Sequence, residues 1–580
     1  MSEDQVNAAV LAAPAAGVRA APVWRLRLGT WAMGWDDVAR AGLVAAVLLV
    51  ILSFRSYGLI WDEEWQAIYG HKILAWYTSF FSDDSSFTYL NLHFYGGAFD
   101  LVAALVNRVS PLGEYETRHL MGGLVGVLGL AGAWRLGQRM GGPRAGALAA
   151  ALLLLIPGFW GHAFFNPKDV PFAVAMVWTL VWAVRLVDQL PRPRPATVLA
   201  FGAVLGLALG TRIGGVLMLV YLAPVLGAYL ALELWQRGLS GAARAAGAMA
   251  LALLPALMLA YVVMVVVWPW ALQAPLNPWR AFTTFAHFTW PGEVLAFGRH
   301  LSSQNLPWWY LPGQLLVQLP EVVLAGLALA GCFGLVGGLA GGLMGGLSGG
   351  RARPSPMAGL PDRLRGRLPL VLVALAALFP IAYFIAFKPA IYHGYRHFIF
   401  VVPPLAVLAA LGLDRTLVLL GRHGRRAGVL AAGVLLSAMG WQAVQAARLF
   451  PNEYIYYNSL VGGVQGAEGR FNLDYWGNAL HEGADLLNAR IGARRRADGK
   501  PWRVLVCGYP LSAAYYLGPN FATSNDSADA DFYLAFTEGR CDRAIPGTVI
   551  GRVARAGVTL AVLKDRRNLL QPDLPRPASR

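Results

Sequence analysis

The sequence predicts a predominantly α-helical, polytopic membrane protein of about eleven transmembrane helices with a small C-terminal α/β domain outside the membrane. Three observations carry this reading. Of 580 residues, 57% are hydrophobic and only 14% charged, whereas charged residues make up about 25% of an ordinary soluble domain. Apolar runs recur between positions 38 and 447, long enough to cross a hydrocarbon core of roughly 30 Å. Beyond 447 no run of that length follows, and Asn, Asp and Tyr become more frequent, which marks a change of solvent.

Residues 1–37 read as a cytoplasmic tail. They are Ala-rich, carry Arg19, Arg25 and Arg27, and reach the first apolar run later than a cleavable signal would. Lys and Arg then set the orientation, since basic short loops stay on the cytoplasmic side. Five loops are basic: 135–144, 185–194, 237–244, 351–367 and 415–426. Placing all five inside gives spans at 38–59, 118–138, 145–165, 169–187, 196–211, 213–234, 245–270, 314–344, 368–387, 397–414 and 427–447. The net charge of +16 therefore reports topology and does not form the solvated stripe that nucleic acid would need.

Between the first two spans lies a long external loop, 60–117. Its segment 93–109 is apolar but short and interrupted by Gly96, Gly97, Asp100 and Asn107. Counting it as a span would turn the later basic loops outward, so it is expected to be an interfacial helix. The Gly-rich run 337–350 reads as helix packing, and 351–367, with Pro354, Pro356 and Pro361, as a flexible basic loop. The transmembrane domain is thus 38–447.

An odd number of spans sends residues 448–580 outside as an α/β domain. Strands are expected at 503–507, 531–536, 549–553 and 558–563, and a helix at 473–491. The three cysteines make no disulfide framework. Cys332, in an apolar run, is expected to be a packing residue, while Cys507 and Cys541 can pair if their segment faces an oxidising compartment. No spacing resembles a metal or iron–sulfur site, and no cofactor is expected.

With this topology the unusual polar motifs fall on one side. Trp61-Asp62-Glu63-Glu64-Trp65 follows the first span, and His71, Lys72 and His93 share its loop. Asn166-Pro167-Lys168-Asp169 joins the third and fourth spans, Thr211-Arg212 the fifth and sixth, and the stretch from Lys388 through Tyr395-Arg396-His397 the ninth and tenth. Carboxylates are costly at a membrane boundary and mark water, a cation or chemistry. Set against Lys168, Arg212, Lys388, Arg396 and His397, they suit a reaction with an anionic leaving group such as phosphate. Guanidinium binds its oxygens in pairs, and a carboxylate can take a proton from an attacking hydroxyl. The competing readings are interhelical salt bridges and a solvated helix end.

These motifs resemble the C-type superfamily of integral-membrane glycosyltransferases, especially the branch of the protein O-mannosyltransferases and the lipid A aminoarabinose transferase. The resemblance rests on Asp62-Glu63 after the first helix, His93-Phe94-Tyr95, Pro167-Lys168-Asp169 opening a helix, and Arg396-His397 before Pro403-Pro404. It implies a polyprenyl-phosphate sugar donor, an inverting transfer to a lipid, glycan or protein hydroxyl, and a site at the outer surface of a bacterial inner membrane. By that match Asp62 is the general base, with Glu63 as the alternative. Donor phosphate falls to Arg396 and His397 with Lys168, Arg212 or Lys388. Asp169, His93, Tyr395 and Asp474 are placed as acceptor-contacting or supporting residues, Asp169 also as a helix cap.

The outer stretch from Asn452 to Gly477 shares the resemblance without a derivable role. Two other functions fit the same charges: a transporter or lipid flippase, which should show related halves or broken mid-membrane spans, and a noncatalytic polyprenyl-lipid-binding subunit. No clear internal repeat is present.

Overall fold

The computed structural model describes residues 26–28, 31–288, 290–343 and 360–570. The N-terminal tail as far as Arg25 and most of the basic loop 351–367 lie outside the described residues, as does the Gly-rich run beyond 343. Helix dominates. In chain order α1 is Trp35–Ser53, α2 Trp61–Thr78, α3 Ala98–Asn107, α4 Glu114–Gly141, α5 Pro143–Leu154, α6 Pro157–Phe165, α7 Asp169–Asp188 and α8 Pro195–Leu209. Then come α9 Leu217–Val267, α10 Asn277–Ala286, α11 Tyr310–Gln318, α12 Glu321–Leu343, α13 Leu368–Phe387, α14 Val402–His423, α15 Arg425–Leu449 and α16 Leu480–Ile491.

Among the described residues seven helices are long and apolar enough to cross a membrane, and nine if the bent pairs α5–α6 and α11–α12 each count as one. The 55-residue stretch Ile213–Val267 is one of the seven, yet a straight helix of that length would reach about 80 Å. It is a hairpin. Gly238 breaks it with φ 68°, and both ends return to one loop, where the Gly97 N–H donates to the Val267 carbonyl at 3.2 Å and the Ala98 N–H to the Gly210 carbonyl at 3.1 Å. Splitting it, and adding the 15-residue apolar α8, gives the eleven passages that the sequence predicts.

Two bends correct the predicted spans. The passage predicted at 145–165 breaks by 65° between α5 and α6, where Pro157 restricts the residue before it. The one predicted at 314–344 turns by 118° between α11 and α12 at Leu319-Pro320, so its membrane-length part starts at Glu321. Cys332 is exposed on α12 and is not the packing residue the sequence suggests.

The short α3 is 10 residues long, about 15 Å, and cannot span. Its Asp100 is buried against Arg118 of α4, which explains an acid in an apolar segment. Across the helices, glycines let backbones touch. A Cβ on Gly206 of α8 would lie 2.6 Å from the Ala260 carbonyl of α9.

Arg139 pairs with Asp188 at 2.6 Å, Arg144 with Asp414 at 2.5 Å and Arg365 with Glu233 at 2.7 Å, which joins the basic loops on one face. The other end of α4 meets the C-terminal segment, where Tyr515 donates to Glu116 at 2.7 Å.

That segment carries a five-stranded sheet: β1 Trp502–Cys507, β2 Phe521–Ser524, β3 Phe532–Phe536, β4 Thr548–Arg555 and β5 Val558–Asp565. The strand order is β2-β1-β3-β5-β4, with parallel pairing around β1 and antiparallel pairing beyond β3. The edge strand β2 has no alternating apolar pattern and escapes the sequence reading. Helix α16 packs on the sheet through Leu480, Ala484, Leu487 and Ile491. It starts at Leu480 instead of 473, because Gly477 takes φ 73° and the Asp474 carboxylate accepts the N–H groups of Asn478 and Ala479 at 2.9 and 3.1 Å, a turn that competes with helix.

Cys507 and Cys541 are bonded, with Cα atoms 5.9 Å apart and a sequence separation of 34. Closing a loop of that size stabilises a fold by roughly 3–4 kcal/mol in the chain-entropy account. Cys507→Ser is therefore expected to lower the unfolding temperature of the sheet while leaving the helical ellipticity of the membrane part, and non-reducing peptide mapping should recover the linked peptides from wild type.

Candidate active site

Four chain segments, far apart in sequence, deliver charge to one place. Asp62 lies in the first turn of α2. Lys168 and Asp169 open α7, where Asn166 forms the turn, its Oδ1 accepting the Asp169 N–H at 2.9 Å and its Nδ2 donating to Asp169 Oδ2 at 2.9 Å. Arg212 sits in the turn after α8, and Arg396 opens the 3₁₀ turn Arg396–Val401 that leads into α14. Asp169 is thus held by a cap that Asn166 provides, and is not the cap itself.

The five groups alternate in sign. Asp62 Oδ2 is 3.3 Å from Lys168 Nζ and 3.7 Å from Arg396 Nη1. The same Arg396 nitrogen is 3.9 Å from Asp169 Oδ2, and Asp169 Oδ1 is 2.8 Å from Arg212 Nη2. Asp62 is the most open of the set, 24% exposed, while Arg396 and Asp169 are 5% and 2% exposed. Three cations face two carboxylates, which leaves one positive charge over. The N-terminal ends of α2 and α7 meet here too, and such ends carry partial positive charge and free N–H groups.

Aromatic rings fix the cations. Arg396 lies between Tyr392 and Trp476, its guanidinium carbon 4.7 and 4.6 Å from the two ring centres. Lys168 and Arg212 both sit over Tyr95, at 5.2 and 5.6 Å. These contacts reach the range in which a ring face attracts a cation. His397 meets the edge of Tyr392 with ring centres 4.5 Å apart. Behind Arg396 a polar cavity of about 10 Å³, lined among others by His162, Gln318, His393, Tyr395 and Tyr475, has room for roughly one water. The hydroxyl of Tyr395 is buried there without a partner.

The structure separates Asp62 from Glu63. Glu63 is 1% exposed. Its Oε2 accepts the N–H of Ile60 at 3.1 Å, and its Oε1 is 3.0 Å from His119 Nε2, so it satisfies one free backbone donor at the helix start and a buried histidine. Other expected residues also fall elsewhere. Lys388 is an exposed left-handed residue ending α13, and no ion pair or hydrogen bond joins it to the cluster among the described residues. His93 binds the Leu90 carbonyl through Nδ1 at 2.8 Å and accepts Trp268 Nε1 on its own carbonyl at 2.8 Å, a scaffold two residues from Tyr95. His71 pairs with Glu114 at 2.6 Å, and Lys72 lies over Tyr89. Asp474 is buried under Tyr454 and its own turn. Burial drives its carboxyl up to about 6, against the lowering effect of those hydrogen bonds.

Sequence reasoning did not assign Tyr95, Tyr392 and Trp476. The available signal was their place inside or beside the polar motifs. Removing Glu63 breaks a buried pair and a helix cap together, losses of about 3–5 and 1 kcal/mol when measured singly. Glu63→Ala should consequently lower the melting temperature in detergent by several degrees, and Asp62→Asn should change it far less. The reverse order would exchange the two roles.

No family model matches the chain, and no curated protein matches it. Among solved structures it is similar to ArnT from Cupriavidus metallidurans bound to undecaprenyl phosphate, with 17% identity, 90% of this chain and 97% of that chain covered and a TM-score of 0.44. The same protein in the apo state gives 16% identity, coverage of 93% and 99% and a TM-score of 0.45. The archaeal oligosaccharyltransferase AglB from Archaeoglobus fulgidus, in complex with an inhibitory peptide and a dolichol-phosphate, is similar at 14% identity, with coverage of 86% and 69% and a TM-score of 0.43. At such identities side-chain roles do not pass from one protein to another by position.

Proposed function

We propose that the chain is an inverting glycosyltransferase that moves a sugar from a polyprenyl-phosphate donor to a hydroxyl acceptor at the outer face of the membrane. The observation that carries this is the placement of a partly open carboxylate, Asp62, within 3.3 and 3.7 Å of Lys168 and Arg396. A base and a phosphate-binding pair can thus straddle one glycosyl phosphate. The single positive charge left over matches the single negative charge of a phosphodiester. The disulfide on the same side as the site suits an oxidising compartment, and the basic loops on the opposite face suit the cytoplasm of a bacterial inner membrane.

In this mechanism the donor enters laterally from the bilayer and its phosphate takes Arg396, with Lys168 and Arg212 beside it. Asp62 accepts the proton of the acceptor hydroxyl while that oxygen attacks the anomeric carbon from the side opposite the phosphate. The bond from anomeric carbon to phosphate oxygen breaks, its electron pair leaves with the polyprenyl phosphate, and the configuration inverts once. Charge grows on the leaving phosphate as the bond opens, so cations already in place favour the transition state over the ground state. Tyr392 and Trp476 keep Arg396 from having to reorganise. Asp169 holds Arg212 and Arg396 in register.

Incubation of the purified chain with labelled polyprenyl-phosphate sugars is expected to release sugar to acceptor and free polyprenyl phosphate. Asp62→Asn should lower kcat by about 10²–10⁴-fold with donor binding retained. Arg396→Ala should chiefly weaken donor binding, by roughly tenfold or more. Donor binding with no release in wild type would leave a lipid-binding subunit, and movement of intact donor across vesicles a flippase.

A further inference from the structure

The outer turn 474–478 reaches both halves of the site. Trp476 is 1% exposed and lays its ring face against the Arg396 guanidinium. Its indole N–H is buried without a hydrogen-bond partner, so a hydrogen bond does not account for a Trp at this place and the ring face does. Two residues on, Asn478, also 1% exposed, accepts the Gly58 N–H on Oδ1 at 2.7 Å. Its Nδ2 donates to the Pro451 carbonyl at 3.0 Å and to Asn452 Oδ1 at 2.6 Å.

Gly58 begins the buried segment Gly58-Leu59-Ile60 that runs directly into the helix turn bearing Asp62. The fit is close, since a Cβ on Gly58 would lie 2.5 Å from the Asn478 carbonyl oxygen. Asp474 holds the turn in shape through the N–H groups of Asn478 and Ala479.

We infer that the turn 474–478 is a positioning clip for the proposed transfer, with Trp476 holding Arg396 where the donor phosphate binds and Asn478 holding the segment that carries Asp62. This rests on the reading of Asp62 as base and Arg396 as phosphate ligand, and goes beyond it by making the outer segment part of the reaction geometry. One short turn thereby fixes the spacing between base and leaving group, so that its two side chains act on different steps. Trp476 governs affinity for the phosphate, and Asn478 the rate once donor is bound.

The test uses the full chain in detergent. Undecaprenyl phosphate, without sugar, probes binding, and a donor from the labelled screen probes turnover. Trp476→Leu is expected to weaken undecaprenyl phosphate binding about tenfold, whereas Trp476→Phe, which restores a ring face, stays within about threefold of wild type. Asn478→Ala is expected to leave that binding within about twofold and to lower kcat at saturating donor by about 10–100-fold, as a displaced reacting group does.

Equal binding by wild type and both Trp476 variants would overturn the clip. So would equal losses in Leu and Phe that track a fall in melting temperature, which is what a merely structural role gives. For Asn478→Ala, unchanged kcat would overturn its half. Wild type that binds undecaprenyl phosphate with the stated Trp476 dependence but releases no sugar would overturn the transfer reading while keeping the Arg396 half of the clip. Wild type indifferent to undecaprenyl phosphate would overturn both.

Discussion

Asp62, Lys168, Arg396, Asp169 and Arg212 form a chain of alternating charges, and much of the surrounding structure serves to make that chain tolerable. An isolated ion taken out of water costs several kcal/mol even after relaxation, and only close opposite charges and hydrogen bonds offset it. Arg396 and Asp169 are almost wholly buried, so neither can sit there without the other and without Asn166, Tyr392 and Trp476 around them. The requirement explains why helices begin where they do. The starts of α2, α7 and the turn before α14 all open at the network, and each brings a charged residue in its first turn or just before it.

The same requirement divides labour between adjacent residues. Successive side chains on a helix point about 100° apart, so Asp62 and Glu63 cannot face the same surroundings. One meets Lys168 and Arg396 in a partly open cleft, and the other turns inward to His119 and the helix cap. A carboxylate left in an open cleft among cations is available to an incoming hydroxyl. One that is already saturated with buried partners is available only to the fold.

The C-terminal segment is correspondingly part of the site's wall and not a separate appendage. Tyr57, directly before Gly58, donates to Glu453 at 3.0 Å. Tyr475 meets His162 of α6 at 3.1 Å, and Trp476 closes one side of Arg396. Burial raises the Glu453 carboxyl to about 7, with the hydrogen bond from Tyr57 acting the other way. Tyr454 and Trp476, for which the sequence offers no derivable role, pack against His162 and Phe165 of α6.

Read along the chain, the sequence places the passages, the basic loops between them, the polar motifs at their ends and four of the five strands of the C-terminal sheet. These follow from apolar run length, charge position and residue alternation, which are local properties that need no knowledge of partners. It also brought Asp62, Lys168, Asp169, Arg212 and Arg396 onto one list. Helix packing then sets Glu63 and Lys388 apart from those five. Asp62 and Glu63 are alike in composition and position until His119 is seen beside one of them, and Lys388 is as basic as Lys168 but faces outward at the end of α13. Trp476 and Asn478 carry no charge to draw notice, and they matter because the chain returns, hundreds of residues later, to the segment before Asp62. Contacts of that range depend on how whole helices pack, and packing geometry is not written in any single stretch of sequence.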